Sequence, residues 1–99
     1  MAQIKHIIEA TTAYYEIDQT DIYTESRQPR IKRPRQVLMY ILHEKYELSL
    51  TEVGNIMKKP GSRYGLDHKK VAHAHKRIRQ ELETNLLLQQ EIQQLINLI

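Results

Sequence analysis

Hydrophobic residues recur along most of the chain at the three- and four-residue spacing of amphipathic helices. The pattern predicts a turn and short helix near residues 17–23 and longer helices over about 3–15, 34–46, 50–57 and 67–83, followed by a last helix capped by Thr84 or Asn85. No segment alternates apolar and polar residues with the period of two expected for a strand. The sequence therefore predicts an all-α fold, a compact helical bundle formed as a single domain from residues 1–99.

Local signals set several of these boundaries. Pro34 suits the first position of its helix, where no N–H is required, so residues 24–32 are expected to form a linker. Ser49 and Glu52 have the spacing of a capping box, in which each side chain accepts from the backbone N–H of the other. Gly54 costs about 1 kcal/mol relative to alanine inside a helix, and we interpret it as permitting close approach of the next helix.

The helix over residues 67–83 has two different faces. Asp67 can cap it by accepting from an N–H two or three residues later. Its apolar sector contains Val71, Ala74, His75, Ile78 and Leu82. The opposite sector contains Lys69, His73, Lys76 and Gln80, with Lys70 and Arg77 at its edge. Such a helix can pack on a core and enter a DNA groove, although a solvated basic face would show the same pattern.

Helices 50–57 and 67–83 form a helix-turn-helix candidate, and helix 34–46 is expected to brace it. The second helix of such a motif needs a rigid platform to enter a major groove with its N-terminus first. Simple versions join the two helices by three or four residues. The connection here is longer, so the spacing alone does not decide the motif.

Charge is strongly segregated along the chain. Residues 27–79 contain 14 Lys or Arg and four acidic residues, a net charge of +10, whereas the remainder carries a net charge of −7. A basic middle between acidic ends creates a directed field that suits a polyanion approaching one side. A basic stretch can also serve solubility alone, but a difference of 17 charges between the segments favours a polyanion. Together with the helix-turn-helix candidate, it predicts double-stranded DNA as the partner.

Composition limits the remaining classes. There is no cysteine, which excludes disulfides and thiolate metal sites. The first twelve residues carry Lys5, His6 and Glu9 and lack a long apolar run, so neither a signal peptide nor a membrane span is expected there. We therefore expect a cytoplasmic, nucleoid-associated protein with no membrane partner.

Several spaced blocks resemble one known family. They are Arg-Pro-Arg-Gln at 33–36, Ser-Leu-Thr-Glu-Val-Gly at 49–54, Gly-Leu-Asp-His at 65–68 and Glu-Ile-Gln-Gln-Leu-Ile at 91–96. In this order the blocks resemble the C-terminal DNA-binding domain of DnaA, the bacterial replication initiator. The resemblance covers nearly the whole chain. It implies a helix-turn-helix fold of the TrpR/DnaA type and a role in replication initiation or its regulation.

The resemblance also implies roles for particular residues. Asp67 and His68 would read bases in the major groove, and Arg27 would reach the neighbouring minor groove. Arg35, His43 and the turn over residues 49–51 would approach the DNA backbone or bases. The complete set of predicted DNA-binding residues is Arg27, Arg33, Arg35, His43, Ser49, Thr51, Asp67, His68, Lys69, Lys70, His73, Lys76 and Arg77.

The chain departs from the family pattern in three ways. Lys69 and Lys70 stand where the family has threonines. The loop over residues 58–64 is longer than the family's tight turn and carries Lys58, Lys59 and Arg63. No Gly-Lys-Ser/Thr phosphate-binding loop occurs in these 99 residues. We therefore expect DNA binding without nucleotide or metal, by a free-standing domain or one excised from a longer chain.

Two other functions compete with DNA binding. An enzyme would require a catalytic constellation, but His68, His73 and His75 do not have the i, i+4 spacing of a helical zinc site, and we predict no catalysis. A protein-interaction module is the stronger alternative. Its surface would be the apolar stripe of the last helix, which could bind a second copy or another protein, or could simply close the core.

Overall fold

The computed structural model describes residues 3–99, in which the secondary structure is entirely helical. The elements are α1 (Ile4–Tyr14), a 3-10 helix (Gln19–Tyr23), α2 (Pro29–Glu44), α3 (Leu50–Ile56), α4 (His68–Leu82) and α5 (Leu86–Leu98). The predicted all-α fold is confirmed. Met1 and Ala2, which the predicted single domain includes, lie outside the described residues.

Helix α2 lies at the centre of the fold and packs most extensively against α4. On one side, Leu38 and Leu42 are fully buried in a core shared with α1, α3, α4 and the 3-10 helix. On the other side, Val37 and Ile41 are fully buried in a second core shared with α4 and α5. Because α2 contributes to both cores, it fixes α4 relative to the rest of the molecule.

The start of α2 corrects the sequence-based boundary. Pro29 occupies the first helical position after the N-cap Gln28, and Pro34 lies inside the helix. An internal proline costs roughly 3 kcal/mol because it removes one hydrogen bond and crowds the preceding turn. The longer helix buries both Pro34 and Ile31, and this burial offsets the cost. The linker before α2 is consequently shorter than predicted and spans residues 24–28.

The predicted capping box at the start of α3 is present. The Glu52 N–H donates to Ser49 Oγ and the Ser49 N–H donates to Glu52 Oε1, both at 3.0 Å. The side chain of Asp67 likewise caps α4 by accepting from the Lys69 N–H at 2.9 Å. These two caps determine where both helices of the helix-turn-helix begin.

Gly54 permits a close backbone approach, but its partner is not the helix that the sequence suggested. The Leu66 N–H, in the loop before α4, donates to the Gly54 carbonyl at 2.9 Å. A Cβ atom added at Gly54 would lie 2.3 Å from the Leu66 carbonyl oxygen. The contact therefore ties the end of the loop to α3 and sets the position from which α4 departs.

Helix α5 closes the second core. The Asn85 side chain caps it by accepting from the Leu88 N–H at 3.0 Å. Leu88, Ile92 and Leu95 of the apolar stripe are buried against α2 and α4. Of the two interpretations of this stripe, core closure is the one that the structure shows. Within residues 3–99, no helix has both the length and the apolar character needed to cross a membrane.

Candidate nucleic-acid interface

The exposed face of α4 begins with a turn of polar and charged residues. Asp67, His68, Lys69 and Lys70 are all exposed. The hydrogen bond from the Lys69 N–H lowers the pKa of Asp67, with smaller contributions from the neighbouring positive charges. The first turn of α4 therefore presents an ionised carboxylate, an imidazole and two ammonium groups to solvent.

The inner face of α4 explains why this polar face points outward. Val71, Ala74 and Ile78 are buried against α2, and one helical turn separates each from the next. Residues on the opposite side of the same helix, including His73, Lys76 and Arg77, must then be exposed, as the structure shows. The predicted division of α4 into an apolar and a basic side is confirmed.

A groove of about 630 Å³ runs between the linker, α2 and α4, and we call it the basic groove. Its basic side chains come from all three elements: Arg27 from the linker, Lys32 and Arg35 from α2, and Lys69, Lys70, Lys76 and Arg77 from α4. Glu25 is the acidic residue that lines it. The groove thus concentrates positive charge along the exposed side of α4, and Arg27 lines the same groove.

An ion pair ties the linker to α4 inside this groove. Lys70 Nζ donates to Glu25 Oε1 at 2.6 Å, with both side chains about half exposed. The same bond is the main reason that the pKa of Glu25 is lowered. The pair therefore joins α4 to the linker two residues before Arg27.

Two predicted DNA-binding residues on α2 are engaged within the protein. Arg35 is only 8% exposed, and its Nε donates to the Ile22 carbonyl at 2.9 Å. Burial lowers the pKa of Arg35. Arg33 donates from one guanidinium nitrogen to both carboxylate oxygens of Glu81, at 2.8 and 3.1 Å. Arg35 therefore links α2 to the 3-10 helix, and Arg33 links α2 to α4.

Six of the predicted residues do not line the basic groove: Arg33, His43, Ser49, Thr51, Asp67 and His68. His43 is half-buried at the end of α2, with Nδ1 2.7 Å from the Leu48 carbonyl oxygen. Ser49 and Thr51 are exposed at the start of α3. The structure therefore groups Arg27 with the basic residues of α4 from Lys69 onward. Asp67 and His68 are exposed at the start of the same helix, outside the groove.

Lys32 and Glu25 belong to the groove but are absent from the predicted site. The sequence predicts an irregular linker at Lys32, and the direction of a side chain cannot be inferred in such a segment. Had Pro29 been taken as the first helical residue, Lys32 would have fallen one turn before Gln36, which also lines the groove. Nothing in the local sequence signals that Glu25 pairs with Lys70, because 45 residues separate them.

His75 contacts other aromatic rings at the edge of the core. His75 is 14% exposed, stacks on Tyr40 with ring centroids 5.3 Å apart, and meets His43 edge to face at 4.7 Å. This is the core-edge position that the sequence predicted for His75. Among the residues that the structure describes, no three His, Asp or Glu side chains are grouped as a metal ion requires.

Comparison with known proteins points to one family. A family model described as "Bacterial dnaA protein helix-turn-helix" matches residues 4–78, which include α1 to α3 and most of α4. Its match thus contains both helices of the motif and the whole linker that carries Arg27.

Individual relatives agree with this match. The chromosomal replication initiator protein DnaA of Thermoanaerobacter sp. (strain X514) is 34% identical over 92 residues, which cover 93% of this chain and 19% of the relative. The protein of the same name from Enterococcus faecalis (strain ATCC 700802 / V583) is 33% identical over 96 residues, or 97% of this chain and 20% of the relative. This chain thus spans about a fifth of the length of these relatives, and it belongs to the bacterial DnaA helix-turn-helix family.

Proposed function

We propose that the protein binds double-stranded DNA sequence-specifically, with α4 in the major groove and Arg27 in the adjacent minor groove. The observation that carries this proposal is the basic groove, which Arg27 of the linker and basic residues of the exposed face of α4 line together. A helix-turn-helix enters the major groove with the N-terminal residues of its second helix. An arginine on a neighbouring extended segment is attracted to narrow, A·T-rich minor grooves, where the negative potential is enhanced.

Base recognition is assigned to the first turn of α4. A carboxylate such as Asp67 can accept from the amino group of cytosine, and Lys69 can donate to O6 and N7 of guanine. His68 lies between them and is equally exposed. These three side chains are the ones that a helix entering the groove N-terminus first brings to the base edges.

Backbone contacts are assigned to the flanking positive and hydroxyl groups. Lys70, His73, Lys76 and Arg77 are exposed along α4, where phosphates on either side of the major groove would pass. Ser49 and Thr51 lie at the start of α3, the helix that crosses the DNA backbone in this motif. Such contacts position the protein without conveying sequence information.

Arg33, Arg35 and His43 are assigned indirect roles. The two arginines are held by protein acceptors, Glu81 and the Ile22 carbonyl. His43 has a protein partner as well, the Leu48 carbonyl. We assign all three to positioning α2 and its neighbours, so that α4 and the linker face the same duplex.

The relatives are named chromosomal replication initiator proteins. We propose by this similarity that the DNA site recognised here serves replication initiation or its regulation, which would place the protein at the cytoplasmic nucleoid. The DNA-binding role assigned to this chain requires neither nucleotide nor metal, and it involves no catalysis.

Fluorescence anisotropy with labelled duplexes tests the proposal. Wild-type affinity should fall as salt rises, by roughly 0.9 log units per phosphate contact for each log unit of salt. Arg27→Ala should weaken binding most on duplexes whose flank is A·T-rich, whereas Lys5→Ala, on the exposed side of α1, should bind like the wild type. If Arg27→Ala lowers affinity equally for every flanking sequence, Arg27 contacts a phosphate and not the minor groove. If the wild type binds no duplex, the proposal is refuted.

A further inference from the structure

The loop between α3 and α4 is unusually basic and has no part in the interface described so far. Residues 58–64 contain Lys58, Lys59 and Arg63, all exposed. Tyr64 follows at the end of the loop and is 76% exposed, the second-highest exposure among the large exposed hydrophobic residues. A tyrosine side chain with this solvent exposure does not contribute to the hydrophobic core.

Internal hydrogen bonds hold this loop in a defined turn. The Ser62 N–H donates to the Lys59 carbonyl at 3.0 Å, and Ser62 Oγ donates to the Tyr64 carbonyl at 2.9 Å. Gly61 provides the positive φ of +81° that the turn requires. The loop ends at Leu66, which is hydrogen-bonded to Gly54, so its charged side chains project from an anchored backbone.

The loop is continuous with the basic groove. A second depression of about 230 Å³ is lined by Lys58, Lys59 and Tyr64, and it shares Glu25 and Arg35 with the basic groove. Lys59 is near enough to Glu25 to help lower the pKa of that carboxylate, after the larger effect of Lys70. The positive surface therefore extends from α4 past the linker and onto the loop.

We propose that the loop over residues 58–64 is a second DNA-binding surface, which grips the phosphodiester backbone beyond the segment read by α4. Lysine and arginine side chains neutralise phosphates, and the Tyr64 hydroxyl can donate to a phosphate oxygen. The surface has charge complementary to a duplex and adjoins the groove already assigned to it. The inference rests on the proposed function, which supplies the duplex, and it adds a contact that lengthens the bound DNA segment.

The test compares two variants that remove equal charge. Lys58→Gln/Lys59→Gln removes two positive charges from the loop, and Lys5→Gln/Lys45→Gln removes two from exposed positions outside the basic groove and the loop. Anisotropy titrations over a range of salt give the salt slope of each variant on one duplex. Thermal unfolding followed by circular dichroism checks that both variants remain folded.

The loop variant should bind more weakly at low salt, and its slope should be shallower by about 0.9 for each phosphate that it no longer neutralises. If two phosphate contacts are lost, the ratio of wild-type to variant affinity should fall about tenfold as the salt concentration rises from roughly 50 to 200 mM. The preferred sequence selected from a random duplex pool should not change, because phosphate contacts carry no base information.

Equal slopes for the loop variant and the charge-matched control, with the wild type still binding DNA, would overturn the loop proposal alone. A change in the preferred sequence would also overturn it as stated, since the loop would then read bases. Failure of the wild type to bind any duplex would overturn the proposed function together with this inference.

Discussion

At the start of α4, the backbone and the side chain of Lys69 serve different purposes. Its N–H completes the Asp67 cap at 2.9 Å, while its ammonium group lines the basic groove. A substitution at position 69 can therefore change what the side chain meets and leave the cap intact. This makes Lys69 the most informative single position for separating base recognition from phosphate binding.

Lys69→Thr should remove a guanine preference at one position of the recognised site. Lysine reaches O6 and N7 of guanine, whereas threonine is too short and offers a methyl group that suits thymine. A good base contact discriminates by about 1–3 kcal/mol, roughly ten- to a hundredfold. The measurement is selection of duplexes from a random pool by the wild type and the variant. Unchanged preferences with uniformly weaker binding would make Lys69 a backbone anchor.

His75 is the residue whose protonation should most affect the fold. It stacks on Tyr40 and faces His43, Glu44 and Arg79. Burial is the main cause that lowers its pKa from an ordinary value of 6.5; His43 and Arg79 lower it further, whereas Glu44 acts in the opposite direction. At this position the unfolded chain therefore binds a proton more readily than the folded chain. The contribution of neutral His75 to the free energy of unfolding is fully present above pH 6.5 and decreases as the pH falls below that value.

His75→Phe should flatten this pH dependence, because phenylalanine can stack on Tyr40 without titrating. Urea unfolding is measured near neutral pH and again about one to two pH units below the ordinary histidine pKa. The difference between the two free energies of unfolding is the loss of stability for each protein. His73→Phe is the matched control, since His73 is exposed on the same helix. If stability decreases at low pH as much in His75→Phe as in the wild type, groups other than His75 cause the decrease.

Among the elements, α3 and α4 form a unit that depends on one close backbone contact. Gly54 of α3 accepts from Leu66, and Gly65 leaves room for the side chain of Asn55, whose Oδ1 would lie 2.5 Å from an added Cβ. Two glycines thus let the loop lie directly on α3 before α4 begins. The orientation of α4 relative to α3 depends on this contact.

Gly54→Ala should destabilise the protein although alanine favours a helix by about 1 kcal/mol. The new methyl group would lie 2.3 Å from the Leu66 carbonyl oxygen, which is backbone and cannot rotate away. Overpacking of this kind costs typically about 1–3 kcal/mol or more. Thermal unfolding checks it, with Thr51→Ala at an exposed position of the same helix as a control for helix propensity. A variant as stable as the wild type would show that the loop shifts freely.

Elements with local signals were predicted well, and those that depend on distant partners were not. The caps at Ser49, Asp67 and Asn85 follow from a few neighbouring residues, and all three are confirmed. The start of α2 was wrong because Pro29 and Pro34 both suit a first turn. Only the burial of the intervening residues, which depends on the tertiary fold, decides between them.

In the candidate site, too, features set by neighbouring residues were predicted and features set by distant partners were not. The exposed face of α4 follows from its periodicity, whereas the protein partners of Arg33 and Arg35 are 48 and 13 residues away in the sequence. Composition alone made all the arginines of residues 27–35 equivalent. The fold separates them, leaving Arg27 exposed in the groove and burying Arg35 almost completely.

For the whole molecule, the segregated charge becomes a spatial arrangement. Much of the positive charge of the middle segment gathers along the linker, α4 and the loop before it. Of the acidic residues near the two ends of the chain, Glu25 lines these surfaces, whereas Glu9, Asp21 and Glu91 do not. One duplex could contact α4 and Arg27 together only if a major groove and its neighbouring minor groove face the protein at once. Occupation of both grooves is therefore the central claim about this molecule.

Methylation protection by dimethyl sulfate tests that claim directly, because the reagent attacks guanine N7 in the major groove and adenine N3 in the minor groove. On a selected duplex, the wild type should protect guanines over one segment and adenines in the adjacent A·T-rich segment. Arg27→Ala should lose the adenine protection and keep the guanine protection, since α4 is unchanged. Protection confined to one groove, or an identical pattern for both proteins, would contradict the account.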